Sequence, residues 1–294
     1  MMGLRRAWLR WLSRRPSARA WSVMLPGAGW LLLFFLLPLA FMFAYSFMER
    51  GLNGKVLFSF TVEHYARFAD PLYVNILVRT ISYSVACTAL CLLTGYPVAY
   101  VIATAGKWKN FLIFLVILPF WTSFIVRTFA IMFLLRDSGV INQLLLSTGI
   151  IKEALPMMPS VTAVMIGLVS GFLPFMVLPI YTSLEKLDPS LLEAAEVLGA
   201  KPFARFTRVV LPLSMPGVVA GCLLVFIPSL GSFVTTDLLG GGKTVFIGNL
   251  VQNQFLKVGN WPFGSAASFV MMSMVLVAVL YYLRVRDRAQ TLGA

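Results

Sequence analysis

Asp237 is the residue in this sequence best suited to bind a cation within apolar surroundings. It lies near the end of an apolar stretch, four residues after Phe233, and Trp121 lies at a similar predicted depth in another stretch. Carboxylates pair with amines, and aromatic rings attract cations through their faces. Arg127 either points inward and pairs with Asp237 or extends to the surface. We predict that these four residues line a path for an amine; the alternative for Asp237 is that it caps its own helix.

Few other residues suggest catalysis or metal binding. His64, the only histidine, lies beside Glu63 in a predicted loop. Cys87, Cys91 and Cys222 lie in apolar stretches without His or carboxylate neighbours, where free cysteines behave as small apolar side chains. We therefore expect neither a catalytic residue nor a metal site.

The segment 240–244, Gly-Gly-Gly-Lys-Thr, is similar to the end of a phosphate-binding loop. Such a loop requires a glycine five residues before its second glycine, and that position is Asp237. We therefore expect no nucleotide site and no bound cofactor in this chain.

Composition predicts an all-α membrane protein. The chain has 294 residues, of which 59% are hydrophobic and 12% charged, and its mean hydropathy is +0.86. A helix that crosses the apolar core of a bilayer needs about 20 apolar residues. Sustained alternation, which would indicate a membrane barrel, is missing. Six stretches qualify as transmembrane helices: 25–48, 76–104, 111–135, 161–184, 216–236 and 264–283.

The basic residues indicate how the chain is oriented. A net charge of +13 would by itself also fit a nucleic-acid-binding protein. The basic residues are concentrated, however, in 5–19, 201–208 and 284–288, which share one side of a six-span topology with both termini. Cytoplasmic segments of membrane proteins carry excess Lys and Arg. We therefore predict two cytoplasmic termini, a basic N-terminal segment on the lipid surface, and no nucleic acid partner.

The loop between the fourth and fifth spans has signals for a helix, a bend and a second helix. Asp188 is a favourable N-cap and Pro189 suits the first helical position, which predicts a helix over 189–198. Gly199 is suited to the left-handed conformation that ends helices, and Pro202 suits the first turn of a second, short helix. The loop should therefore project from the membrane as two helices joined by a bend.

One spaced pattern in this loop resembles the cytoplasmic coupling loop of the membrane subunits of binding-protein-dependent ABC importers. The matching residues are Glu193, Ala194, Ala195, Gly199, Val209, Leu211 and Pro212. Val209 stands where the pattern often has Ile. The alanines leave one helix face shallow enough to enter a groove, and charges at Glu193, Glu196, Arg205 and Arg208 can line its rim. The resemblance implies that a separate ATPase subunit docks here and uses the ATP, so that this chain is not an enzyme.

A finer resemblance covers most of the chain after about residue 25. The segments 95–100, 118–122, 127–128, 247–249 and 261–264 resemble the first permease subunit of bacterial spermidine/putrescine importers. This resemblance implies a type I importer fold in the bacterial inner membrane. It also implies three partners: a second, similar permease, two copies of a cytoplasmic ATPase, and a soluble binding protein that delivers polyamine.

The predicted organisation follows from the spans. We expect a cytoplasmic basic segment at 1–24, an uncleaved first span at 25–48, a periplasmic loop at 49–75, a five-helix core at 76–284 with the coupling loop at 185–213, and a cytoplasmic tail at 285–294. The first span is too long for a cleaved signal peptide. Paired glycines, Gly167 with Gly171 and Gly217 with Gly221, predict that the two spans flanking the coupling loop pack closely, either on each other or on a partner subunit.

Two alternatives stay open. The coupling pattern is shared by importers of thiamine, ferric iron and other small solutes, so it predicts the class of transporter and not its cargo. An ion-coupled secondary transporter is the more remote alternative, since it would need acidic residues near the middle of the membrane. None is found there.

Overall fold

The structure is a computed structural model that describes residues 16–51, 56–242 and 244–291. Within them, five helices are long and apolar enough to cross a membrane. A sixth candidate is a pair of segments, Gly106–Trp121 and Phe124–Ser147, bent by 94° at the break between them. The predicted helical class is confirmed, and the number of spans is five or six according to whether the bent pair counts as one.

We number the elements along the chain. The helices are α1 (Pro16–Tyr45), α2 (Glu63–Ala66), α3 (Pro71–Thr104), α4 (Lys109–Ile117), α5 (Phe124–Leu135), α6 (Val140–Ser147), α7 (Val161–Glu185), α8 (Pro189–Val197), α9 (Pro202–Leu230), α10 (Val234–Gly240), α11 (Ile247–Gln252) and α12 (Trp261–Thr291), and the strands are β1 (Met48–Arg50) and β2 (Val56–Phe60). Most of the predicted basic N-terminal segment, at 1–15, lies outside the described residues, as do Lys243 and 292–294.

The predicted loop at 49–75 contains regular structure that the sequence analysis did not anticipate. β1 and β2 form an antiparallel hairpin directly after α1, and Val56–Phe60 has the apolar and aromatic residues that favour strands. His64 is buried beneath this hairpin, with Nε2 2.9 Å from the carbonyl oxygen of Met48. The histidine therefore has a structural contact with the hairpin.

The third predicted span is not one straight helix. The chain leaves helical geometry at Thr122 and Ser123, which are both extended, and this is where the 94° bend falls. Pro119 lies in a short 3₁₀ turn just before the break. A continuous helix over 111–135 is therefore wrong: hydropathy stays high through this region, and hydropathy alone does not reveal where the backbone hydrogen bonds stop.

The fifth predicted span, 216–236, is shifted. α9 begins at Pro202 within the coupling loop and ends at Leu230, and α10 is a separate short helix after a turn at 231–233. The predicted second short helix of the loop is therefore the first part of α9. Asp237 lies on α10 and not at the end of the fifth span.

The core of the bundle is formed by α3, α7 and α9. A β-carbon at Gly217 of α9 would lie 2.5 Å from the carbonyl oxygen of Pro179 in α7, and one at Gly221 would lie 2.8 Å from Sδ of Met176. The predicted contact between the spans flanking the coupling loop is confirmed through these two glycines, because only the missing side chains let the backbones approach.

The other glycine pair serves different neighbours. A β-carbon at Gly167 of α7 would lie 2.5 Å from Leu239 of α10, and one at Gly171 would lie 2.9 Å from the ring of Phe124 in α5. The two glycine pairs therefore serve two different contacts of α7. The pair on α9 lets α9 approach α7, and the pair on α7 itself lets α5 and α10 approach another side of that helix.

Candidate coupling loop and translocation path

α8 begins at the N-cap that the sequence predicts. The carboxylate of Asp188 accepts a hydrogen bond from the backbone N–H of Ser190 at 2.9 Å, and Pro189 takes the first helical position. The Ser190 N–H holds the pKa of the Asp188 carboxyl below its usual range, so the cap is ionised at neutral pH.

The bend after α8 depends on Gly199. Its backbone has φ +79°, in the left-handed region that glycine adopts without strain. The N–H of Gly199 donates to the carbonyl of Glu196, and the N–H of Ala200 donates to that of Ala195, both at 2.9 Å. These two bonds form a Schellman motif that closes the last carbonyls of the helix. The predicted helix and bend are confirmed.

The surface of the bend is apolar, which the sequence analysis missed. Val197, Leu198 and Phe203 are 88%, 86% and 79% exposed, and we call these three residues the apolar tip. The available signal was that apolar residues flank Gly199 in a loop predicted to lie outside the membrane. Exposed apolar side chains grouped in this way are typical of a protein–protein contact.

The charged residues of the loop divide into two groups. Glu196 and Arg205 bind each other across the bend, with Oε2 2.6 Å from Nη1. Glu193 and Arg208 are exposed, and neither has an ion-pair partner within the part of the chain that the structure describes. Of the four charges expected on the rim of a groove, two therefore stabilise the loop itself and two face outward.

The second half of the matched pattern lies where the loop enters the membrane bundle. Residues Phe206–Val210 form a π-helical segment within α9, and Val209 and Leu211 are half-buried there while Pro212 is exposed. Pro212 has no N–H to donate to the carbonyl of Arg208, which disfavours regular α-helical bonding at this point. π-helical turns of this kind are frequent at functional sites.

Arg127 forms hydrogen bonds to the backbone where the third predicted span is interrupted. Its guanidinium donates to the carbonyl oxygens of Pro119 and Thr122, the latter at 3.5 Å. Both carbonyls lie at the interrupted helix, so the arginine supplies donors that the backbone there lacks. Neither of the two roles predicted for Arg127, pairing with Asp237 or reaching the surface, describes this contact.

Asp237 is held by Asn249 of α11, a residue that the sequence analysis did not identify as functional. The amide nitrogen of Asn249 donates to Oδ1 of Asp237 at 2.7 Å and to the carbonyl of Phe233 at 3.1 Å. Its amide oxygen accepts from the hydroxyl of Thr236 at 2.7 Å and from the N–H of Phe246 at 3.0 Å. One buried side chain thus ties α10 to the start of α11.

The predicted path residues make separate local contacts. Trp121 is 75% exposed and meets Phe114 edge-on at 5.8 Å, and Phe233 is 37% exposed in the turn before α10. Within the described ranges, no hydrogen bond or ion pair joins Arg127 to Asp237. Each of the four residues therefore lies at or near a break in the helices, with its own local contacts.

The cysteines lie in the bundle. Cys87 and Cys91 are fully buried and Cys222 is half-buried, and all three are free thiols. Among the residues that the structure describes, no three His, Cys, Asp or Glu side chains are grouped so that they could hold a metal ion.

The fold and the loop define the class of protein. Residues 92–289 match the family described as "Binding-protein-dependent transport system inner membrane component". The chain belongs to this family, and it is accordingly a multi-pass protein of the inner membrane.

Curated relatives and solved structures narrow the comparison. The chain is 43% identical over 256 residues to the spermidine/putrescine transport system permease protein PotB of Haemophilus influenzae, covering 86% of this chain and 90% of the relative. It is 42% identical over 257 residues to PotB of Escherichia coli K12, covering 87% and 94%. A chain of a bacterial ABC transporter involved in the import of alginate has the same fold, with a TM-score of 0.69 over 95% of this chain and 98% of that chain, at 17% identity.

Proposed function

We propose that this protein is a transmembrane permease subunit of an ATP-driven, binding-protein-dependent importer of polyamines, spermidine or putrescine. The observation that carries the proposal is the similarity to PotB proteins, which extends over nearly the whole length of both chains. At 43% identity, the chain is more similar to PotB than membership of the broad family by itself would indicate. That family includes importers of other small solutes.

The proposed topology has six spans, with the bent pair around Thr122 counted as one, and cytoplasmic termini. This topology gives a type I importer fold, in agreement with the structural similarity to the alginate transporter. It places the coupling loop in the cytoplasm together with the basic segment 201–208, where an ATPase can reach it.

We propose that α8 and its bend enter a groove on that ATPase. The exposed apolar tip would be covered there, while Glu193 would bind a basic residue at the rim. Glu193 is suited to this role because it is exposed and because its helix has no buried residue that would fix it to the bundle. ATP would be hydrolysed by the partner, and this chain would bind no cofactor of its own.

The complete importer would contain four kinds of chain. This subunit would pair with a second, homologous permease, two copies of the ATPase would bind below, and a periplasmic binding protein would deliver the polyamine above. The alginate transporter has been solved in complex with a substrate-bound periplasmic protein, which supports such an arrangement for the shared fold.

The path for polyamine would pass the two helix interruptions, one around Thr122 and the other around Ser232. Asp237 keeps one carboxylate oxygen on Asn249 and would offer the other to an ammonium group, with Phe233 and Trp121 as aromatic contacts and Arg127 holding the facing break in shape. A half-buried carboxylate beside aromatic rings suits a flexible polyvalent cation.

The function is tested by reconstitution. The two permeases and the ATPase are co-expressed and placed in liposomes with the binding protein outside and ATP within, and uptake of radiolabelled spermidine and putrescine is measured. We expect uptake that requires ATP and the binding protein, and none with a hydrolysis-deficient ATPase. Uptake of thiamine or ferric iron without polyamine uptake would overturn the cargo assignment while keeping the transporter class.

A further inference from the structure

Three aromatic side chains connect the coupling loop to α3. The ring of Phe206 lies edge-on to Tyr96, with centroids 5.7 Å apart and planes at 89°, and edge-on to Tyr100, at 5.9 Å and 86°. Tyr96 and Tyr100 are one turn apart on α3, so Phe206 fits against both. We call these three residues the aromatic joint.

A buried hydrogen bond extends the joint along α9. The hydroxyl of Tyr96 lies 2.9 Å from Oγ of Ser214, and both residues are buried. Ser214 donates its own proton to the carbonyl of Leu211 at 3.0 Å. Tyr96 is therefore the donor in the bond to Ser214, and one tyrosine contacts α9 through its ring at Phe206 and through its hydroxyl at Ser214.

The first of these contacts is at Phe206, which begins the π-helical segment Phe206–Val210, and the second is at Ser214, one turn beyond the end of that segment. A π-helical turn holds one residue more than an α-helical turn and is an irregularity at which a helix can change register. Tyr96 contacts α9 at the start of this irregularity and again beyond its end, so it fixes the orientation of the two parts of α9 relative to each other.

Other connections between the loop and the bundle are weaker. α8 has no buried residue. At the end of α7, where the loop begins, Lys109 binds Glu185 at 2.5 Å, but both side chains are over a third exposed, and exposed ion pairs contribute little. A displacement of the loop would therefore reach the membrane along α9 itself and through the packing of Leu192 against the core, and the aromatic joint is its most extensive side-chain connection to α3.

We propose that Tyr96, Tyr100 and Phe206 are positioning residues that transmit displacement of the coupling loop to α3. This inference rests on the proposed function, because it assumes that an ATPase moves the loop. It adds that the movement is carried sideways into the second span as well as along α9, and that loss of the joint uncouples ATP hydrolysis from transport without preventing assembly.

The first experiment measures spermidine taken up per ATP hydrolysed by the reconstituted four-chain complex. Phe206→Ala should lower this ratio at least fivefold while the ATPase co-purifies as in wild type, and Tyr96→Phe, which removes only the hydroxyl bond, should lower it about twofold. Leu213→Ala is the matched control, since Leu213 precedes Ser214 but is 45% exposed. A wild-type ratio in assembled Phe206→Ala would overturn the proposal; if that variant does not assemble, a wild-type ratio in both Tyr96→Phe and Tyr100→Leu would do so.

A second measurement does not depend on the cargo. Spin labels at Ser190→Cys and Leu72→Cys, in a background without the native cysteines, report the distance between the loop and the outer end of α3 with and without ATP and vanadate. We expect little nucleotide-dependent change in this distance in the otherwise unchanged chain, because the joint moves α3 together with the loop, and a larger change in Phe206→Ala. Equal behaviour of the two chains would overturn the role of the joint, whereas absence of spermidine uptake by a complex that shows this difference would count only against the cargo assignment.

Discussion

In the coupling loop three large apolar side chains, those of the apolar tip, face outward, whereas in the adjoining contact between α7 and α9 even a single β-carbon would collide with the opposing backbone. Leu198 is 86% exposed, while a β-carbon at Gly217 would lie 2.5 Å from the carbonyl oxygen of Pro179. Few contacts within the chain constrain the loop residues, and packing constrains the glycines completely. Substitutions at the glycines should therefore impair folding, whereas substitutions in the exposed part of the loop should impair transport.

The largest effect is expected at Gly217. Gly217→Val places a branched side chain against the backbone of α7, and overpacking of this kind costs at least about 1–3 kcal/mol because backbone cannot move aside easily. We expect the yield of monodisperse protein after detergent extraction to fall more than tenfold. Gly27→Val is the control, since a β-carbon at Gly27 meets nothing within 4 Å; equal yields for the two variants would contradict the role of the glycine contact.

Glu193→Lys should impair transport without impairing folding, in contrast to Gly217→Val. The residue is exposed on a helix with no buried side chain, so the yield and thermal stability of the protein should equal those of wild type. We expect ATP-dependent uptake by the reconstituted complex, and its stimulation of ATP hydrolysis, to fall more than tenfold because the reversed charge opposes docking.

Glu153→Lys controls for the change in net charge, because Glu153 is equally exposed but lies between α6 and α7, away from the loop. Normal transport by Glu193→Lys would refute docking through this carboxylate. A loss of folded protein would show instead that the loop, like the glycine contact, is constrained by the fold.

Asp237 lies between these extremes, because it is half-buried and has one internal partner. Asp237→Asn keeps an oxygen that can accept the bond from Asn249 and removes only the charge. A charge-assisted hydrogen bond contributes about 1.5–3 kcal/mol, and each 1.4 kcal/mol is about tenfold in rate. We therefore expect spermidine uptake to slow by about tenfold or more, with unchanged affinity of the binding protein.

Asp137→Asn provides the comparison for this variant, since Asp137 is an exposed carboxylate after α5 and its loss should leave uptake unchanged. A wild-type rate in Asp237→Asn would remove the residue from the path and leave it as a structural partner of Asn249.

The sequence predicts those features whose cause is local. Asp188, Pro189 and Gly199 carry their own helix signals, and the structure places the start of α8 and the bend where these signals indicate. The breaks around Thr122 and Ser232 are different, because they depend on side chains that supply hydrogen bonds from a distance. Arg127 lies near its break in sequence, but no helix signal links it to the carbonyls it binds, and Asn249 comes from another helix, so local helix signals do not contain the whole cause of either break.

The exposure of the apolar tip is a second feature that local sequence signals do not predict. Hydropathy indicates that Val197, Leu198 and Phe203 should be covered, and the structure exposes them. Burial by a partner is not a property of one chain, so neither sequence nor fold shows what covers these residues. Docking of an ATPase would reconcile hydropathy with exposure, because the tip would be exposed in this chain alone and covered in the complex.

The smallest effect should come from the bend itself. A β-carbon at Gly199 would meet nothing within 4 Å, so Gly199→Ala introduces no collision, and its only consequence is that an L-residue must adopt φ +79°. This conformation costs an ordinary residue about 1 kcal/mol. We expect uptake to fall about fivefold, because part of the population straightens the loop, while the yield of folded protein stays unchanged. Gly199→Asn should lie closer to wild type, since Asn tolerates the left-handed region better than Ala. Equal uptake by the Ala and Asn variants would show that the bend is imposed by the docked partner and not by this residue.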